Sequence, residues 1–513
     1  MEFINENKIL GDLIYNFITE SNDLKEETYL LARFVITNSF EHIKFCREYF
    51  IINYECSLEN FKLVCNTNDN YYIYQRITPH IISYDIFDTL IARKCIFPDT
   101  IFDIIAKNNN IYNFKTTRKR SECISNGTFD DIYVKFKAMS GFDNDLVNNL
   151  KQIEFQTELD NIFPIECNKI QVRPTDVFIS DMYYSKDYIN KLLIKCGYSG
   201  ENKIYVSPKG KRLGTIWNQI SEHISYHIGD NYNLDVKNAL TWGHKRGIQY
   251  HYSLTLTESE KSFLNWGLIE IGYLIRYLRL SNSYLEEPYK TLYSEQVEKN
   301  IPILILFSFY INQICIKNKI KKILFTTRDC CLLSKIFAKL FPEYTNTTFH
   351  SSRHVYQNPS DDYIKYVKSI YSSDSLIVDL QGYGKSVLSF FEECINIEPN
   401  VIYLISFNTK NKKNFKYVVS GKRGNNLENI NYDIIGTLKN YTESEPVRDN
   451  LEYDIKYIIP SHKAIDNCCD VINNFNIPIM NDTNIIKEYL DKLTNDLNTD
   501  ILLNKVVSHK GSH

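Results

Sequence analysis

The sequence predicts an α/β protein with two parallel, doubly wound sheets, and three observations carry that expectation. Short β-rich apolar runs alternate with helical patterns between residues 81 and 241, and again between 321 and 406. Several of these runs end abruptly in an acid, a hydroxyl or a glycine, as buried parallel strands do at the carboxyl edge of a sheet. A long helical block interrupts the first alternation just after its opening strand.

Taken in order, residues 1–75 read as helical, most clearly over Leu24–Tyr49. Ile81–Tyr84 is an apolar strand that runs into Asp85-Ile86-Phe87-Asp88-Thr89-Leu90. The helical block spans Asp99 to about Phe163. Within it, Thr128-Phe129-Asp130-Asp131 is a capped helix start, and Leu146, Leu150 and Ile153 share a helical face. After Arg173-Pro174 come strand Val177–Ile179, helix Lys186–Cys196, strand Lys203–Val206, helix Gly214–His223, strand Ser225–Ile228 and helix Asp235–Thr241. Residues 256–320 read as helical, including Phe263–Leu280. The second alternation is strand Ile323–Thr326, helix Cys331–Leu340, strand Ser375–Asp379, helix Ser386–Ile395 and strand Val401–Ser406. The tail from about Ile465 is helical and polar. The expected organisation is a helical N-terminal region (1–75), a first α/β domain (76–250) with its insertion at about 95–170, and a helical connector (251–320). A second α/β domain (321–460) and a helical tail (461–510) follow. Gly511-Ser512-His513 reads as a tag remnant and is set aside.

The chain has 513 residues, room for two to four domains at about 100–200 residues each. A net charge of −3 leaves no electrostatic footprint for nucleic acid or an anionic membrane surface. The 13 Cys are scattered singly, apart from Cys330-Cys331 and Cys468-Cys469, with no Cys-x-x-Cys pair. Met1–Glu6 carries acids where a signal peptide needs cations, so the expectation is reduced thiols in a cytoplasmic protein. Ile301–Ile316, the most apolar stretch, is interrupted by Asn312 and Gln313. It reads as a buried helix, not a membrane span. No feature indicates an oligomeric state.

Four segments at strand ends carry the chemistry: Asp85 with Asp88-Thr89, then Ser180-Asp181, then Lys209 and Lys211, then Gly229-Asp230 with Asp235. Neighbouring strand ends of a parallel sheet bring such groups together. Acids from two loops can hold Mg²⁺, and a hydroxyl and a lysine can hold the remaining oxygens of a phosphoryl group. A carboxylate so placed can also act as a nucleophile.

These segments resemble the haloacid dehalogenase (HAD) superfamily. The matching motifs are Asp85-Ile86-Phe87-Asp88-Thr89-Leu90, Ile179-Ser180-Asp181-Met182-Tyr183, Ser207 to Gly214 containing Lys211, and Gly229-Asp230-Asn231 with Asp235. They follow the family's order over roughly residues 78–250, and the helical block sits where the family inserts its cap. More narrowly, the first two motifs resemble HAD hydrolases found with surface-polysaccharide genes. The resemblance implies a HAD-type doubly wound parallel sheet with a helical cap insertion, beside a second Rossmann-like α/β domain and helical flanks. It also implies catalytic roles for Asp85 (nucleophile), Lys211 (charge neutralisation) and Ser180 (phosphate orientation). Thr89, Ser180 and Asp181 would contact substrate. Mg²⁺ would be held by Asp85, the backbone carbonyl of Phe87, Asp230 and Asp235, with Asp235 as a supporting acid or secondary ligand. Lys209 stays open as the alternative lysine. Tyr183, Tyr184 and His227 read as packing residues.

One position departs from the family pattern. HAD phosphatases usually carry a second Asp two residues after the nucleophile, and this chain has Phe87 there, followed by Asp88. Side chains alternate along a strand, so Asp88 does not substitute for position 87. Three options follow: a leaving group that needs no proton, slow hydrolysis, or different chemistry. Haloacid dehalogenases themselves have a non-acid here.

The second alternation carries another set. Ile323 to Asp329 runs a strand into Arg328 and Asp329, and Leu376 to Ser386 runs another through Asp379 into Gly382, Gly384, Lys385 and Ser386. Gly384-Lys385-Ser386 resembles the end of a P-loop, although that motif's first Gly falls at Asp379. The segment also resembles, loosely, the phosphoribosyl-pyrophosphate loop of type I phosphoribosyltransferases. Arg328, Asp329, Asp379, Gly382, Gly384, Lys385 and Ser386 are therefore candidate substrate contacts, with Arg328 as an anion clamp. Asn408–Lys413 reads as a solvated loop. The favoured activity is that of a Mg²⁺-dependent phosphohydrolase or phosphotransferase acting on a small phosphorylated metabolite, a sugar or nucleotide, through an aspartyl-phosphate. One alternative is a phosphoribosyl- or glycosyl-type transferase centred on the second domain, with an accessory HAD unit. Another is a non-catalytic scaffold.

Overall fold

The computed structural model describes residues 81–502, apart from 223, 244–245, 251–252, 408–413, 422–425, 443–444, 452 and 498–500. The helical region expected at 1–75, the Asn408–Lys413 loop and Gly511–His513 lie outside the described residues. The chain divides into two units, at Thr255 and Leu256.

In the first unit, β1 (Ile81–Asp85) leads through a tight turn to β2 (Ile91–Arg93). Four helices follow: α1 (Thr100–Asn108), α2 (Phe114–Ile124), α3 (Phe129–Ser140) and α4 (Asn144–Asn161). β3 (Ile162–Pro164) then returns antiparallel to β2, so the helices sit on a two-stranded stalk. β4 (Val177–Ser180), β5 (Lys203–Val206), β6 (Ile224–Gly229) and β7 (Arg246–Gln249) complete the unit. The main sheet runs β5-β4-β1-β6-β7, with every pairing parallel. The chain moves outward from β1 through β4 to β5 and then crosses back to β6. The reversal therefore falls between β1 and β6, where open parallel sheets form a crevice at their carboxyl ends.

The insertion is held by buried charge as well as by apolar packing. Arg118 of α2 is fully buried and grips Glu154 of α4 with two bonds of 2.7 Å. The Tyr133 hydroxyl donates to the same carboxylate at 2.8 Å. Arg93, on the stalk, pairs with buried Glu158 at 2.7 Å. These pairs explain why the apolar pattern misread α4. Its buried face is Val147, Leu150, Glu154, Phe155 and Glu158, while Leu146 and Ile153 are only half-buried. Thr128 does cap α3, its hydroxyl accepting from the Asp131 amide at 3.3 Å.

The second unit contains β8 (Lys322–Thr326), β9 (Thr345–Phe349), β10 (Ser375–Gly382), β11 (Val401–Ser406) and β12 (Phe415–Ser420), in the order β12-β11-β10-β8-β9. All pairings are parallel, and the reversal falls between β8 and β10. A hairpin of β13 (Leu438–Thr442) and β14 (Glu445–Arg448) follows. Alternate residues serve two cores. Ile323, Phe325, Leu376, Val378 and Leu404 face one, and Leu324, Ile377, Val401 and Tyr403 face the other. Helix Ile301–Asn318 lies in the first of these cores, buried over 14 of its 18 residues, as a helix apolar on all sides must be. It belongs to a 30-residue helical stretch, Tyr289–Asn318, apolar enough to cross a membrane by length and composition, but 83% of its most apolar window is buried. Helices Ile459–Val471 and Thr483–Asp496 pack into the same core, so the segments read as connector and tail both share the second sheet's interior.

One expected element differs. The helix at Gly214–His223 is replaced by a turn of helix at Gly210–Leu213 and a 3₁₀ turn at Trp217–Gln219. Gly214 sits at φ +77°, which ends the first turn, and a Cβ there would lie 2.7 Å from the Trp242 ring.

The buried Arg118–Glu154 pair yields a stability test. Glu154→Gln leaves buried Arg118 with only the partly exposed Glu122, at 3.0 Å, as a charged partner, and is expected to lower the unfolding free energy by about 3 kcal/mol in urea titration. Replacing both partners with apolar residues, Arg118→Met with Glu154→Leu, should recover most of that loss.

Candidate active site

The crevice between β1 and β6 gathers the first four sequence motifs. Asp85 ends β1, its side chain 13% exposed, and Lys211 reaches it from the turn after β5. The Lys211 ammonium, 2% exposed, donates to Asp85 Oδ1 and, at 2.6 Å, to Asp235 Oδ1. Lys209 is exposed, which leaves Lys211 as the lysine of the site. The backbone N–H of Lys211 donates to Asp181 Oδ1 at 2.6 Å, and that of Arg212 to Asp181 Oδ2 at 3.4 Å. Asp181, expected at the substrate, thus uses its carboxylate to anchor the lysine turn. Ser180 is buried, its hydroxyl accepting from the Met182 amide at 3.2 Å.

Asp235 is equally committed. Oδ1 receives Lys211 and lies 3.2 Å from His227 Nε2, while Oδ2 accepts from the Asn231 amide at 2.9 Å. Because an ionised Asp235 only accepts, Nε2 of His227 carries the proton and Nδ1 accepts from Ser83 Oγ at 2.8 Å. Gly229 makes this approach possible: a Cβ there would stand 2.2 Å from Asp235 Cγ. His227 thus orients Asp235 besides packing edge-on against Trp217.

The electrostatics separate the acids. Burial, with the nearby Asp235 charge, pushes Asp85 up to about 7 against the pull of Lys211. Burial and the charges of Asp85, Asp235 and Asp88 push Asp230 up to about 9. Burial also pushes Asp235 upward, but Lys211 and His227 outweigh it and hold the group well below the usual carboxylate range. Lys211 is raised, because its two acids outweigh its burial, and His227 is lowered to about 4 by burial and Lys211. Ligand oxygens of Asp85, Asp230 and Asp235 lie within 4.8 Å of one another. Asp85 and Asp230 are near enough to share a proton, the kind of crowding that a hard divalent cation relieves through oxygen-only donors.

Two first-motif residues face away from this cluster. Thr89 is fully buried, and its hydroxyl has no hydrogen-bond partner, so it makes no surface for substrate in this arrangement. The Phe87 ring is buried beneath the Arg93 guanidinium, 4.4 Å from the ring centroid. Tyr183 and Tyr184 pack against Phe129, and Tyr183 also donates to Glu154 at 3.3 Å.

In the second unit, Arg328, Asp329 and Asp379 come to the β8–β10 crevice. Asp379 accepts from Thr326 Oγ1 at 3.0 Å and from the Leu380 amide at 2.9 Å. Gly382 ends β10. Gly384, at φ +68°, closes onto Phe415, with a Cβ position 2.2 Å from that ring. Lys385 is exposed and opens a six-residue helix with half-buried Ser386, and no bond of Asp379 reaches either residue. Sequence reasoning missed Arg448. It reaches Thr327 from β14, and an arginine in a short polar hairpin carries no sequence signal of that contact.

No protein-family model matches the chain, and no curated protein matches it.

With divalent cations chelated, stability should fall as pH rises from about 6.5 to 9. In the unfolded chain both acids ionise near 3.8, whereas the folded state keeps protons on Asp85 to about 7 and on Asp230 to about 9, so the folded state binds more protons in this window. The contribution of neutral His227 is complete above 6.5, so it does not offset the loss. Thermal melts in EDTA should show the decline, and Asp230→Asn should flatten its upper part. A flat wild-type profile would contradict the charge assignment. Gly229→Ala should separate Asp235 from Lys211 and cost about 2 kcal/mol or more.

Proposed function

We propose that the chain is a Mg²⁺-dependent phosphohydrolase or phosphotransferase of HAD type, acting on a small phosphorylated metabolite through an aspartyl-phosphate. The observation that carries this reading is the convergence of Asp85, Lys211 and Asp230 at one sheet edge, with Asp235 bracing the lysine. Asp85 and Asp230 would hold the cation. When bound, Mg²⁺ supplies positive charge that keeps both acids ionised and offsets the charge of a phosphoryl group.

The residues then divide the work. A free oxygen of Asp85 attacks phosphorus, forming an acyl-phosphate bond while the ester P–O bond breaks and its electron pair leaves with the departing oxygen. The Lys211 ammonium neutralises charge gathering on the phosphoryl oxygens. The Ser180 hydroxyl orients one of them. Water or an acceptor hydroxyl then attacks the phosphorus and returns Asp85 to its carboxylate. The position two residues after Asp85 offers a phenyl ring and no proton, so leaving oxygens of low basicity suit the site best. The insertion on its stalk suits a cover that selects substrate and excludes water.

Turnover of a phosphate-ester panel should require Mg²⁺ and disappear in Asp85→Asn. Persistent turnover in that variant would remove Asp85 from the chemistry. Phe87→Asp should raise hydrolysis of alkyl phosphates relative to aryl phosphates only modestly, by less than about 10-fold against the roughly 10²–10⁴-fold typical of general acid help, because Arg93 lies over position 87.

A further inference from the structure

The lysine at the centre of the first site has a support that the proposed chemistry leaves unused. Ser83 and Asp85 stand two residues apart on β1, so their side chains share one face of the sheet. His227 of β6 lies directly beside Ser83 in the parallel register. Ser83 and His227 are fully buried, and they open a line of contacts that ends at Asp85. Ser83 Oγ lies 2.8 Å from His227 Nδ1, and His227 Nε2 lies 3.2 Å from Asp235 Oδ1. The same Asp235 oxygen receives Lys211 at 2.6 Å, and Lys211 also donates to Asp85 Oδ1.

One arrangement of hydrogens suits this line. A lone pair of Nε2 facing an ionised carboxylate would be repelled, so Nε2 carries the hydrogen. A neutral imidazole then offers a lone pair at Nδ1, and the Ser83 hydroxyl fills it. The other acceptor near Ser83, the Tyr226 carbonyl, is 3.5 Å away and is the poorer one. Ser83 therefore fixes the tautomer of His227, and the tautomer fixes Asp235. Trp217 supports the imidazole edge-on, with ring centroids 5.2 Å apart.

The two carboxylates that meet Lys211 are left unequal. Asp235 has both oxygens engaged, Oδ1 by Lys211 and His227 and Oδ2 by the Asn231 amide at 2.9 Å. Lys211 meets Asp85 through a single oxygen. We propose that Ser83 and His227 are positioning residues: they hold Asp235 on Lys211, so that Asp85 keeps an oxygen for the attack on phosphorus. His227 acts through Asp235 and touches no reacting atom. The assignment rests on the phosphoryl-transfer reading of this site.

Two amide replacements separate positioning from packing. In His227→Gln the amide nitrogen reaches about the place of Nε2 and still donates to Asp235. In His227→Asn it reaches about the place of Nδ1 and does not. With the fastest-hydrolysed ester of the phosphate panel, His227→Gln should keep most of the turnover. His227→Asn should lower kcat about 10- to 100-fold with KM little changed, the range of one hydrogen bond to a charged group. Ser83→Ala should fall between the two. Added to His227→Gln it should cost nothing more, because an amide has no tautomer to select. Ile189→Val, buried in the helix Lys186–Lys195 of the same unit, removes packing away from this line and should leave kcat unchanged. Crystal structures of the full-length variants in EDTA give a readout apart from activity: Lys211 should keep Asp235 Oδ1 in His227→Gln and lose it in His227→Asn. The proposal fails if the two amides turn over alike, if Ser83→Ala lowers turnover equally with His227 and with Gln at that position, or if Asp235 stays on Lys211 in His227→Asn. If the wild type hydrolyses no phosphate ester, the phosphoryl-transfer reading falls instead, and the place of Asp235 in the two structures still decides whether His227 holds it.

Discussion

The first unit is organised around one buried ammonium. Lys211 is almost without solvent, and a lysine in that position survives as a cation only because two carboxylates meet it. Each partner is delivered by a different part of the fold. Asp85 comes from the central strand, and Asp235 from the helical turn after β6, steadied by His227, Ser83 and the Asn231 amide. Asp181, after β4, pins the backbone of the lysine turn. Four strand ends therefore have to be in register before the ammonium is satisfied. Removing any one carboxylate leaves a charge that the low-dielectric interior penalises.

The same architecture gathers acids and basic side chains at the carboxyl edge in both units. Both sheets are parallel, and both reverse direction beside the strand that carries the key acid. In the first, three acids surround one cation, so the crevice is short of positive charge. In the second, Arg328 and Arg448 lie among Asp329, Asp379, Glu428 and Asp433, and burial with the other three acids pushes Asp329 well above the usual carboxylate range. A parallel sheet supplies the location, and the few side chains at its carboxyl edge decide what can occupy it.

Most strands of both sheets were legible because buried parallel strands are short apolar runs, as Val177–Ile179 and Val401–Ser406 are. Of the edge strands, β5 was read at Lys203–Val206, but β7, β9 and β12 were not. β9 reads Thr-Asn-Thr-Thr-Phe and β7 Arg-Gly-Ile-Gln, because a strand paired on one side tolerates polar residues that erase the apolar run. Acids at strand ends were visible for the same reason that the strands were: an abrupt change from apolar to charged marks the sheet edge. What each acid bonds was not visible. Asp181 and Asp235 look alike in sequence, yet one anchors backbone amides and the other a buried lysine. Glu154 and Glu158 mislead in the other direction, since charged residues on an inward helix face contradict periodicity unless their arginines are known.

Phe87 joins these two kinds of information. Its ring faces away from the charge crowding Asp85 and Asp230, where burial and the neighbouring acids already push Asp230 up. The ring is covered by Arg93, whose charge is matched by Glu158 of the insertion. The position after Asp85-Ile86 is therefore tied by an aromatic–cation–carboxylate chain to α4, not to a reacting proton. An acid placed at 87 would meet Arg93 directly and compete with Glu158 for it. A carboxylate engaged in that way would be held ionised, a poor proton donor to a departing oxygen. Restoring proton transfer on this side thus depends on Arg93 as much as on residue 87, and Phe87→Asp with Arg93→Met should show more alkyl-phosphate hydrolysis than Phe87→Asp alone.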